Sequence, residues 1–261
     1  MLVFPQLSSG ANVQYPLART DSSRTVVNVL QDGSMVKFED VSASRTRWTL
    51  RLESLDQAER LAIEQLFLAT EGELNAFTLL DPATNLLSWS EDFSKAVWVA
   101  DPLVQAVGGV ADPLGGTAAW QLTNSGQAIQ RIVQTIAGPA QFQYCFSVYA
   151  RGNGQVSLVR SSGATSETRS FTLASTWQRI SNAGGLGATG DTFQAGVALD
   201  PGASAQIFGP QLEAQPAAGP YRRSLGVSGV YSRVRFESDR LNAVAVGLDR
   251  HSSVVRLVSV E

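Results

Sequence analysis

"TLLDPATNLLSWSEDFSKAVWV", residues 78–99, changes character partway along. "TLLDP" reads as the end of a strand followed by a stop. "NLLSWSEDFSKAVWV" reads as the start of something new. At 208–221, "FGPQLEAQPAAGPY" punctuates the chain again, and the charged residues return. Residues 84–220 hold six Lys/Arg and eight Asp/Glu in 137 positions, while the flanks carry the other 29 of 43 charges in 124. Glycine shifts the opposite way, with 17 of 23 in the middle. Such opposed shifts predict two domains with different surfaces: an inserted module at 83–221 and a discontinuous domain made of 1–82 and 222–261.

The flanks read as strands with one helix. "RTVVNVLQDGSMVKFED" places two β-rich runs around Asp32-Gly33, a hairpin signal. "TRWTLRL" sets Trp48, Leu50 and Leu52 on one face and Arg47, Thr49 and Arg51 on the other, as in a half-buried strand. Ser54-x-x-Gln57 reads as a capping box. Ala58, Ala62, Ile63, Leu66 and Phe67 then form a helical stripe that stops near Gly72. "YSRVRFESD", "LNAVAVGLD" and "SSVVRLVSVE" add three short strands at the end. Neither flank has enough strands to stand alone, so together they predict one small barrel or sandwich.

The middle reads as all-β. "YCFSVYA" alternates Tyr144, Phe146 and Val148 against Cys145, Ser147 and Tyr149. "TFQAGVAL" alternates Phe193, Ala195, Val197 and Leu199. Short strands with Gly-rich turns and no sustained helical period suit a two-sheet sandwich. The fold class is therefore mainly β: a discontinuous β-barrel or sandwich domain with one helix, plus an inserted β-sandwich.

Composition narrows the functions. Net charge is −3 with 44% hydrophobic residues, so no basic excess points to nucleic acid. The single cysteine, Cys145, excludes an internal disulfide and a cysteine-built zinc site. "LVFPQL" after Met1 lacks the form of a signal peptide, and no run approaches a membrane span, so the expectation is a soluble chain made in the cytosol.

Catalytic groups are sparse. The only histidine, His251, falls in "LDRHSS", read as an exposed turn. Cys145 lies in an alternating strand without an evident base. Gly185-x-Gly187-x-x-Gly190 matches a dinucleotide fingerprint, but a strand pattern follows it where a helix is needed. Glu91-Asp92 offers adjacent carboxylates in a turn, whereas glycoside hydrolysis needs two at a set separation. The expectation is a non-enzyme with no cofactor and no metal; no calcium loop stands out.

"NLLSWSEDFSKAVW", "YCFSVYARGNG", "TWQRIS" and "FGPQLEAQPAAGPY" resemble, in that order, a jelly-roll module of bacteriophage tail proteins that is similar to carbohydrate-binding modules. "FPQLSSGANVQYPLART" and the closing "RVRF…VVRLVSVE" resemble phage distal tail and minor tail proteins. The resemblance implies a virion structural component, synthesised in the host cytoplasm. Its belt domain would form a homohexameric ring at the tail end, in contact with other tail tube and baseplate proteins. Its module would face outward toward host-surface polysaccharide, with no nucleic acid partner and no membrane insertion. A sugar site pairs aromatic platforms with hydrogen-bonding side chains. Four of the five tryptophans lie in the module. Trp89 is read as a junction residue and Trp177 as core, which leaves Trp98, Trp120 and Tyr149 as glycan-binding candidates. A glycan-cleaving tail enzyme and a purely architectural module remain as alternatives.

Overall fold

The computed structural model describes residues 1–260, and the chain divides into two compact units. One comprises Met1, 6–12 and 80–230; the other comprises 2–5, 13–79 and 231–261. Residues 6–12 thus part company with the rest of the N-terminal flank expected to share one core. The side chain of Gln6 accounts for this: its amide nitrogen donates to Gln143 O and Ala214 O, and its oxygen accepts from Gln143 N.

The second unit opens with strands β1 (Leu17–Val29) and β2 (Met35–Leu55), an antiparallel hairpin turning at Asp32-Gly33. Gly33 takes φ +80, and Asp32 accepts from both the amide and the hydroxyl of Ser34. Trp48, Leu50 and Leu52 are buried, as the alternation demands. Helix α1 (Gln57–Ala69) follows. Its cap is Asp56 with Glu59, not Ser54 with Gln57: Asp56 accepts from Glu59 N, and the Glu59 carboxylate accepts from Asp56 N. Ser54 instead lies near the end of β2 at φ +55, where the pairing of that strand shifts register. Gly72, at φ +67, donates to Phe67 O beyond the last turn and ends the helix as expected. Strand β3 (Phe77–Leu80) is fully buried.

Strands β4 (Trp98–Ala100), β5 (Val104–Val110), β6 (Ala119–Asn124), β7 (Gln130–Ala137), β8 (Tyr144–Ser162), β9 (Thr165–Leu173), β10 (Gln178–Gly184), β11 (Thr192–Leu199) and β12 (Ser204–Glu213) build the first unit. They form a front sheet, β5-β6-β12-β8-β10, and a back sheet, β4-β7-β11-β8-β9. The 19-residue β8 serves both: residues 144–153 pair in the front sheet and 154–162 in the back. Gly152 and Gly154, at φ +150 and +101, lie where it passes from one to the other. Tyr144, Phe146, Val148 and Ala150 point inward with Phe193, Ala195, Val197 and Ile207, all essentially without solvent contact. Burying each large side chain contributes about 1.5–3 kcal/mol.

The chain enters and leaves this unit side by side. Asp81 N donates to Gly229 O, and Gly229 N donates to Asn85 O. Buried Asn85 donates to Pro210 O and Arg222 O, and its oxygen accepts from Leu87 N and Leu212 N. One amide therefore ties the two passing segments to β12.

Strands β13 (Val230–Phe236), β14 (Ala243–Gly247) and β15 (Arg250–Ser259) complete the second unit. Its sheet runs β1-β2-β15-β13-β3, with β14 also on β15. Phe236 meets Phe67 and Phe77 at 5.1 and 5.2 Å, and Tyr231 stands edge-on to Trp48 at 4.8 Å. These strands fill the core that Leu50, Ile63 and Leu66 begin.

Three substitutions test these assignments. Asn85→Ala strands four buried backbone groups and is expected to lower stability by about 3 kcal/mol, read as a lower denaturant midpoint at unchanged slope. A loss below about 1 kcal/mol would show that the clamp matters little. Asp56→Ala should cost about 1 kcal/mol in thermal or chemical unfolding, while Ser54→Ala should stay within about 0.5 kcal/mol; the reverse order would restore Ser54 as the cap.

Candidate functional site

Register assigns the outer face of the front sheet. Arg179 of β10 lies opposite Tyr149 of β8, which lies opposite Phe208 of β12. One step along, Arg151 lies opposite Gln206, which lies opposite Gln121 of β6. Because side chains alternate between faces, Tyr149, Arg151, Arg179, Gln121 and Gln206 share one surface, opposite the inward Phe146 and Val148. All five are half-buried. Trp177, just before β10, joins them: the Arg151 guanidinium lies 4.7 Å from the centre of its ring.

The arrangement repeats one motif. Arg179 sits over the Tyr149 ring at 5.3 Å and donates to Ser147 Oγ; Arg151 sits over Trp177 and donates to Gln206 Oε1 and Ala111 O. The ring beneath and the hydrogen bond beside it together restrict where each guanidinium can sit. Gln121 donates to Ser204 Oγ. Nε1 of Trp177 and Nε of Arg179 are buried without a protein acceptor. Each such donor costs about 1–3 kcal/mol of stability.

Beyond Tyr149 the face is closed. Ser147, Gln211, Glu213 and Cys145 are all buried. Segment 219–222 lies across them: Gly219 N donates to Glu213, Arg222 N to Gln211 Oε1, and Arg222 forms a 3.1 Å ion pair with Glu213. Tyr221 borders the open part, 6.3 Å from Tyr149 and 5.3 Å from Phe208. A bulge in β12 makes room for it. Gly209 takes φ +60 there, and a Cβ would meet the Tyr221 ring at 2.8 Å. Burial raises the Tyr221 pKa, and its hydroxyl donates to Glu91 Oε1.

The expected aromatic platforms land in two different places. Tyr149 is on the face, as the alternation of β8 implies. Trp98 is not: it is 6% exposed, packs on Phe93 at 4.7 Å and donates to Trp89 O. Trp120 points to the inner side with Ile207, edge-on to Phe93, and donates to Glu91 O. Both rings pack on Phe93 at one end of the sandwich, Trp98 buried and Trp120 half-buried, so neither joins Tyr149 on the outer face. Trp177, expected in the core, is instead the aromatic that lines the face. Trp89, at φ +52, carries Lys95 over its ring at 4.7 Å. Arg151, Arg179, Gln121 and Gln206 were missed; only the non-local pairing of four strands reveals them.

The candidate reactive groups are tied up in structure. Glu91 accepts from Tyr221 and from Arg223 at 2.9 Å. Asp92 accepts from Ser94, the first cause of its lowered pKa, and faces Lys95. Burial, with Glu213 nearby, pushes the Cys145 thiol up to about 11, so it stays protonated at neutral pH. His251 lies in β15 opposite Leu55, not in a turn. The glycines at 185–190 form a loop that leads into β11, which leaves no helix terminus for a phosphate. Among the described residues, no three His, Cys, Asp or Glu side chains cluster as metal ligands, and no helix is long and apolar enough to cross a membrane.

No family model matches the chain, and no curated protein does. Among solved structures, about half of the chain aligns with several small β modules. The first xylan-binding CBM22 domain of Paenibacillus barcinonensis Xyn10C aligns over 51% of this chain and 96% of its own, at 15% identity and TM-score 0.40. A CBM61 module in complex with β-1,4-galactotriose aligns over 49% and 97%, at 15% identity and TM-score 0.37. Tailspike protein 4 of bacteriophage CBA120 aligns over 52% of this chain but only 22% of its own enzymatically active domain, at 14% identity and TM-score 0.41.

Proposed function

We propose that this protein is a saccharide-binding structural component of a phage tail, with recognition on the front sheet of the first unit. The observation that carries the binding half is the row of Arg-stacked aromatics, Tyr149/Arg179 and Trp177/Arg151, beside Gln206 and Gln121. A sugar presents apolar ring faces and dense hydroxyls. A shallow strip of aromatic edges, guanidinium groups and amides meets both. A single site of this kind binds in the range of roughly mM to μM, and repetition on a particle multiplies it.

The tail half rests on the sequence resemblance and on one feature of the second unit. Residues 24–40 form a two-stranded arm on which Val29, Met35 and Phe38 are more than half exposed. Such a ribbon is marginal alone and keeps open backbone edges. In this reading, residues 83–221 are a module inserted into the 1–82/222–261 belt domain. The belts associate head-to-tail into a closed ring of about six copies, with other tail proteins as neighbours.

Displaying the full chain multivalently against host envelope polysaccharides tests the binding half. Trp177→Ala and Tyr149→Ala should each weaken binding about tenfold, corresponding to the loss of roughly one stacking contact. Trp98→Ala should lower stability and leave the affinity of the folded fraction unchanged. Absence of binding by the wild-type display would refute the site. For the ring, a reconstruction of the intact particle should show the second unit in a closed cyclic array; a single copy on the axis would exclude it.

A further inference from the structure

We infer that the ligand of the front face is an acidic polysaccharide, a polyol chain bearing carboxylate or phosphate groups, and that Arg151 and Arg179 read its charge. The inference rests on the saccharide-binding reading of that face. Neither arginine has a carboxylate within 4.0 Å among the described residues, although the chain carries net charge −3. Among the described residues their hydrogen-bond acceptors are neutral: Gln206 Oε1 and Ala111 O for Arg151, and Ser147 Oγ for Arg179. A guanidinium has five N–H donors, so most of theirs have no protein acceptor.

The carboxylates closest in the chain and on the sheet are already engaged. Glu213 holds Arg222, and Glu91 holds Arg223 and Tyr221. Asp112, next to Ala111, accepts amides from Leu114, Gly116 and Ala118 within its own loop. Burial acts to raise the Asp112 pKa, but those amides outweigh it and hold the carboxyl below its usual range. Like charges placed on diagonal positions of neighbouring strands repel. A face evolved for stability alone, or for neutral sugars, would separate or pair them. Placed over Trp177 and Tyr149 and each held by a hydrogen bond to a neutral partner, the two forks are instead kept on the outer face, where their remaining donors suit an oxyanion.

The test titrates the full chain with four polymers: polygalacturonate, its fully methyl-esterified form, polyglycerol phosphate and poly(U). Binding to polygalacturonate or polyglycerol phosphate is expected, and comparison of those two arms tells carboxylate from phosphate. Esterification, or a rise to high salt, should weaken binding by about tenfold or more, since charge-assisted bonds are lost. Arg151→Gln with Arg179→Gln should do the same, with near-ultraviolet circular dichroism confirming the fold. The salt series on the unaltered chain keeps the claim testable if that variant fails to fold. Equal binding of acid and ester would overturn the charge inference and leave the saccharide reading in place. Binding to none of the three polysaccharides would overturn both. Tighter binding to poly(U) would overturn both in favour of a single-stranded nucleic acid.

Discussion

The sandwich and its face both depend on one strand that cannot belong to a single sheet. β8 carries 19 residues, and its first half is hydrogen-bonded to β10 and β12 while its second is hydrogen-bonded to β9 and β11. A flat strand would hold one sheet; the positive φ at Gly152 and Gly154 lets this one leave the front sheet and enter the back. A Cβ at Gly152 would meet Ser204 O at 3.3 Å, so close strand approach and backbone conformation both favour glycine. Alternation survives the bend: Val148 and Ala150 before it and Val156 and Leu158 after it are all buried. The odd-numbered residues 149 and 151 are thereby kept on the outer face of the front sheet.

A second constraint narrows that strip to its final width. The bulge at Gly209 places Tyr221 against Phe208, and Tyr221 in turn anchors to Ser90 and Glu91. The segment 219–222 then covers the half of the face that holds Cys145 and Glu213. Those buried groups are hydrogen-bonded or neutral, so closing over them is tolerable. The half left uncovered carries Arg151 and Arg179, and it includes two buried donors without a protein acceptor, Nε of Arg179 and Nε1 of Trp177. Local chain path, not composition, decides which arginines remain available.

Much of the fold was readable because it is local. Asp32-Gly33 announces its turn, and Trp48, Leu50 and Leu52 announce their buried face. Phe193 through Leu199 read as a core strand for the same reason. The helix was also visible, but its cap shifted by two residues, since Asp56 competes with Ser54 for the same role and only backbone conformation decides between them. The site was mostly hidden. Tyr149 could be placed from its own strand, but Arg179 faces it from 30 residues away through a pairing that no local pattern encodes. Trp98 sits in a three-residue strand, too short for alternation to show its direction. Trp120 neighbours Gln121, and which of the two looks outward follows from the pairing with Gln206 and Ile207.

The two units expose surfaces that suit different partners. On the second, the arm at 24–40 shows Val29, Met35 and Phe38, interrupted by Lys37, Glu39 and an Arg24–Asp40 ion pair. Its backbone edges beyond the body of the sheet need donors and acceptors in register, which another strand supplies and a polysaccharide does not. The interspersed charges disfavour indiscriminate stacking and leave room for a specific match. On the first unit, the outward strip carries no comparable apolar ribbon; its rings are capped by guanidinium groups and flanked by amides. Arg151 and Arg179, anchored through Gln206 and Ser147, would lose little freedom on meeting the hydroxyl-rich chain proposed as ligand. In the proposed reading, repetition on one assembly would supply what one strip lacks, since many weak contacts made together hold a polymer while each can release it singly.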